Sequence, residues 1–76
     1  MATNPVQAPE AIPFKEFEVV RLRAPAESID GDLLPVGARG TVVHVHGLGE
    51  AYIVEFAKPD WTVAEVAADG LEPNAG

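Results

Sequence analysis

Hydrophobic and polar positions alternate over short runs along most of this chain, and each run ends at glycine or proline. Residues 16–23, EFEVVRLR, are rich in Val, Phe and Leu, too short for an isolated helix, and halted by Ala24 and Pro25, so they predict a first strand. Residues 40–46, GTVVHVH, carry the clearest pattern: strict alternation puts Thr41, Val43 and Val45 on one face and Val42, His44 and His46 on the other. Gly47 and Gly49 supply a tight turn. Residues 51–57, AYIVEFA, then alternate Tyr52, Val54 and Phe56 against Ile53 and Glu55, which makes a hairpin. Lys58, Pro59 and Asp60 turn the chain into residues 61–67, WTVAEVA. There the β-branched Thr62, Val63 and Val66 favour a strand over the helix that Ala and Glu would otherwise allow. After a turn at Ala68, Asp69 and Gly70, the stub Leu71, Glu72 and Pro73 adds a short edge strand that proline ends.

Between the first two strands, residues 24–39 hold Pro25, Gly31, Pro35 and Gly37 with Asp30 and Asp32, a density of turn formers that predicts one long loop. Five short antiparallel strands with tight turns after that loop describe an all-β domain, a small five-stranded SH3-like barrel that removes exposed sheet edges. Pairing Val45 with Tyr52 makes Thr41, Val43, Val45, Tyr52, Val54 and Phe56 the inward set. Val20, Leu22, Leu34, Ala64, Val66 and Leu71 complete the core. Val42, His44, His46, Ile53, Glu55 and Val63 then face outward, and Trp61 is either a core plug or an interface anchor. Gly40 reads as a positive-φ or bulge position. The barrel spans residues 14–73; residues 1–13, with three prolines among alanines and polar residues, predict a flexible N-terminal segment, and 74–76 a C-terminal tail.

Charge changes the picture more than composition does. Five Lys and Arg against twelve Asp and Glu give a formal charge of -7, which opposes direct binding of nucleic acid. The chain has no cysteine, which excludes a disulfide framework, a thiolate metal site and a cysteine nucleophile, and points to the cytoplasm. No run of apolar residues reaches the roughly 18 of a membrane span, so no membrane partner is expected.

The strings Val19-Val20-Arg21-Leu22, Leu34-Pro35-x-Gly37-x-x-Gly40-Thr41-Val42-Val43, Tyr52-x-Val54-Glu55-Phe56 and Leu71-Glu72-Pro73 resemble an uncharacterised family of short bacterial proteins, over residues 14–73. More distantly, the same order is similar to SH3-like accessory subunits of redox and metal enzymes: the small photosystem I subunit, the variable chain of ferredoxin-thioredoxin reductase, and the barrel of the nitrile hydratase beta subunit. The resemblance implies a barrel that docks on a larger partner without itself holding a cofactor, and it carries over no catalytic residue, because the matching positions are glycine, proline and core residues.

Little in the chain suggests catalysis. His44 and His46 leave one strand face with Glu55 on the neighbouring strand, a partial metal-ligand set, but there is no third histidine. Two solvated histidines are the reading adopted. The one serine, Ser28, stands far in sequence from either histidine, and no catalytic triad is expected. Both Gly37-x-x-Gly40 and Gly47-x-Gly49 lead into strands, where a phosphate loop requires a helix. Arg21, Arg23 and Arg39 read as scattered surface charge. The expectation is therefore a non-enzymatic accessory or adaptor protein without cofactor, binding another protein through Val42, His44, Ile53, Glu55, Trp61 and Val63. The alternative is an acidic inhibitor or immunity-type protein, encoded by a phage or other mobile element, that blocks a nucleic-acid-processing or toxin target.

Overall fold

The computed structural model describes residues 14–58 and 60–74; the expected flexible segment at 1–13, the turn residue Pro59 and the last two residues of the expected tail lie outside them. Seven strands follow in order: β1 (Val19–Leu22), β2 (Ala26–Glu27), β3 (Leu33–Leu34), β4 (Arg39–His46), β5 (Ala51–Phe56), β6 (Thr62–Ala67) and β7 (Leu71–Pro73). A single 3-10 turn, Ala68–Gly70, joins the last two, and no α-helix occurs among the described residues. The described residues are thus all-β, as the β-branched alternation leads one to expect.

β6, β5, β4, β1 and β7 form one antiparallel sheet in that order, while β2 and β3 pair as a separate hairpin. The predicted long loop is therefore structured, with Ala26 opposite Leu34 and Glu27 opposite Leu33. Two-residue strands leave too short a pattern to be read from alternation. The hairpin tip reaches the outer strand β6 of the sheet: Ile29 N–H donates to the Val63 carbonyl at 2.9 Å, and the Thr62 hydroxyl donates to Asp30 Oδ2 at 2.7 Å. This covers part of an edge that would otherwise be exposed.

β4 pairs with β5 with Val45 opposite Tyr52, as expected, but the register shifts between Val42 and His44. Val43 is the extra residue of a β-bulge, and the bulge reverses the phase of the strand's first half. Val42, expected to face outward, is 0 % exposed and lies opposite buried Val54. Thr41 and Val43, expected inside, are only half-buried and stand outside the core cluster, whereas Val45 packs partly against it. Val42 is thereby withdrawn from the expected docking face. The rest of the predicted inward set, Val20, Leu22, Leu34, Tyr52, Val54, Phe56, Ala64, Val66 and Leu71, is buried as read.

Phe14 joins this core edge-on to Tyr52, ring centroids 5.4 Å apart at 81°. Gly40 is also buried but lacks a positive φ; it lies opposite Val20, and its missing Cβ lets β4 approach Val54 and Phe56 closely. Close approach, not conformation, is the reason for glycine there.

Candidate functional site

The outer face of the five-stranded sheet is built by the pairing registers. Val19 stands opposite Thr41, Thr41 opposite Glu55, and Glu55 opposite Val63, one continuous row across β1, β4, β5 and β6. One step along, His44 lies opposite Ile53 and Ile53 opposite Glu65. The structure thus brings His44, Ile53, Glu55 and Val63 to one face, as the alternation predicts. Ile53, Glu55 and Val63 are half-buried and His44 is exposed.

Trp61 resolves toward the surface. It is 72 % exposed and precedes β6 with φ 31, one of two non-glycine residues of positive φ among the described residues; the other, Phe17, precedes β1 with φ 70 and is 74 % exposed. Both bulky aromatics occupy backbone conformations that such residues seldom adopt, and both remain in solvent. Trp61 lines a shallow hollow of about 340 Å³ with Val19, Thr41, Glu55, Arg39 and Asn74. An aromatic beside a hollow that mixes apolar and charged walls is suited to hold a protruding side chain of another molecule. Phe17 and Val19 were expected within the first strand but not on the docking face, because their exposure depends on where β1 begins.

His44 and His46 share the outer side of β4 with ring centroids 6.3 Å apart, edge to face. Glu55 lies opposite Thr41, beyond the bulge from His44. Among the described residues no group of three or more His, Asp or Glu is gathered closely enough to hold a metal ion. The partial ligand set His44, His46 and Glu55 is not assembled.

Ser28 is buried in the tip of the β2–β3 hairpin, where its Oγ accepts the N–H of Asp30 and of Asp32, each at 3.1 Å. Its own N–H donates to the Asp32 carbonyl at 2.9 Å. This is the turn chemistry of a hydroxyl holding its own backbone. Ser28→Ala is expected to lower stability by about 1–2 kcal/mol, because two backbone donors lose their acceptor, and urea unfolding measures it. An unchanged midpoint would remove the hydroxyl from this account of the loop.

Three of the five cations meet at one end of the sheet. Arg21 and Arg39 are direct cross-strand partners on β1 and β4, and Lys58 follows β5. They border a groove of about 710 Å³ whose apolar walls include Leu33, Pro35 and Phe56. The Arg21 Nε donates to Asn74 Oδ1 at 2.8 Å. No described helix is long and apolar enough to cross a membrane. Comparison of the chain with protein-family models, with curated proteins and with solved structures finds no match in any of the three.

Proposed function

We propose that the protein is a non-catalytic binding module, an accessory or adaptor domain of the SH3-like barrel type that docks on a larger protein through the outer face of its sheet. The strand order, the hairpin inserted after β1 and the 3-10 turn before β7 support the barrel reading. The observation that carries the docking reading is Trp61: a tryptophan left in solvent on strained backbone, beside a hollow shared with Val19 and Glu55, is a poor surface residue and a good interface anchor. Ile53 and Val63 extend the apolar area between charged neighbours Glu55 and Glu65. The acid-rich remainder of the surface steers association, with a salt dependence the apolar contact lacks.

Affinity capture from the native host, compared between wild type and variants, tests this. Ile53→Asp is expected to keep the fold and lose at least about 2 kcal/mol of affinity for the captured partner, since it puts an unpaired charge next to Glu65 in the contact centre. Trp61→Ala is expected to lose a similar amount, and Glu50→Gln to alter mainly the on-rate. Equal capture by folded Ile53→Asp and wild type would discard the outer face. The inhibitor reading is favoured by one observation, the charge of -7. It predicts that the captured protein presents a basic nucleic-acid channel, whereas an accessory role predicts an enzyme complex.

A further inference from the structure

The basic groove lies at the end of the sheet, apart from Ile53 and Val63, and gathers Arg21 and Arg39, which the sequence presents as scattered charge. In a chain with twelve acids, its lining includes three of the five cations and no carboxylate. Arg21 and Arg39 stand directly opposite each other across β1 and β4, an arrangement of like charges that costs stability in an empty sheet. Glu72 flanks Arg21 from β7 but does not line the groove. Asn74 engages Arg21 through Nε, and among the described residues no hydrogen bond takes the two terminal nitrogens of the guanidinium, which suit a carboxylate in the bidentate manner.

The turn that forms one wall is itself fixed. Gly37 N–H donates to the Leu22 carbonyl at 2.8 Å and Leu22 N–H to the Ala38 carbonyl at 3.0 Å, which holds Pro35 and Ala38 against β1. Leu33, beside that turn, is 76 % exposed. The cavity is therefore a preformed cleft with apolar walls and cations on its border, a combination that rewards a ligand offering both carboxylate and hydrocarbon.

We infer that this groove binds an acidic segment of a partner protein, one in which carboxylates flank an apolar side chain: the side chain rests on the exposed Leu33 and Pro35 while the carboxylates meet Arg21, Arg39 and Lys58. Charge complementarity selects that occupant. A nucleic acid would gain few phosphate contacts from three cations and meet repulsion from the rest of a chain of charge -7. It would also find no exposed aromatic to stack on in the groove, because Phe56, the one aromatic among its lining residues, is 1 % exposed. A second copy would bring an equal negative charge to the contact.

Selection of a random linear peptide library on the intact chain tests the inference without requiring a known partner. The expected result is enrichment of peptides with two or more Asp or Glu around an apolar residue. Amide chemical shifts on titrating a selected peptide should move at residues 33–39 and 56–58. Binding should weaken by at least about tenfold in a folded Arg39→Gln/Lys58→Gln double variant, and by as much when the peptide's carboxylates become amides. Ile53→Asp should bind the peptide as wild type does, which separates this site from the outer-face reading. Enrichment of basic peptides, or of none, overturns the inference, as does binding that survives the double variant or is lost in Ile53→Asp. Two further outcomes also overturn it: a single-stranded DNA oligonucleotide shifting the same amides, or a dimer in sedimentation that the double variant dissolves.

Discussion

Val42→Asp is expected to leave the chain unfolded, whereas Val43→Asp leaves a folded protein that has lost about 1–2 kcal/mol. The two valines are neighbours of identical chemistry, and only the β-bulge distinguishes them. Val42 is fully buried opposite Val54, with both its backbone groups used: its N–H donates to the Glu18 carbonyl at 2.9 Å and its carbonyl accepts the Phe17 N–H. A carboxylate there has neither water nor a cation to meet it, and burial of an unpaired charge costs more than a domain of this size has in reserve. Val43 is half-buried and outside the core cluster, so a carboxylate there keeps its hydration. Circular dichroism and the dispersion of the proton NMR spectrum read both variants. A folded Val42→Asp beside an unfolded Val43→Asp would mean that β4 alternates without interruption and that Val42 belongs on the outer face after all.

That phase reversal marks the limit of what alternation reveals. The sheet's five strands, the hairpin through Gly47 and Gly49 and the pairing of Val45 with Tyr52 were legible because β-branched residues recur with period two between glycines and prolines. The bulge was not, because its extra residue is one more valine in the run Thr41-Val42-Val43-His44-Val45, with no glycine to mark it. Four of the six expected docking residues followed from the same logic: Ile53, Glu55 and Val63 lie on strands whose alternation is unbroken, and His44 lies past the bulge, where the expected phase holds. Trp61 could not be placed, since a residue just before a strand has no phase to inherit. The basic groove was hidden for another reason. Arg21, Arg39 and Lys58 are far apart in sequence and look scattered, and only the β1–β4 register and the end of β5 gather them. Likewise the Ser28 turn follows from local composition, but its attachment to Thr62 and Val63 depends on a contact across more than thirty residues, which no local pattern encodes.

Gly40→Val is the substitution expected to cost most among those that add no charge. A Cβ at this position would lie 2.6 Å from Val54 Cγ1, 2.8 Å from the Glu55 carbonyl oxygen and 2.9 Å from Phe56 Cδ2. Two of these neighbours are core side chains with nowhere to retreat, and the third is backbone of the paired strand, so relief requires β4 and β5 to separate. Gly40→Ala should therefore lower stability by about 1–3 kcal/mol and Gly40→Val by more than about 3 kcal/mol, measured as a fall in the urea midpoint at unchanged slope. Gly37→Ala is the instructive contrast: Gly37 has φ 87 but nothing within 4 Å of its would-be Cβ, so its loss of about 1 kcal/mol comes from backbone strain alone. If crowding is the cause at Gly40, shortening Val54 in a Gly40→Ala background should restore part of the loss, because the nearest contact disappears while the Glu55 carbonyl stays. The same shortening should do nothing for Gly37→Ala beyond its own cost. Additive losses for Gly40→Ala and Val54→Ala, or a Gly40→Val protein as stable as wild type, would show that β4 does not approach β5 this closely.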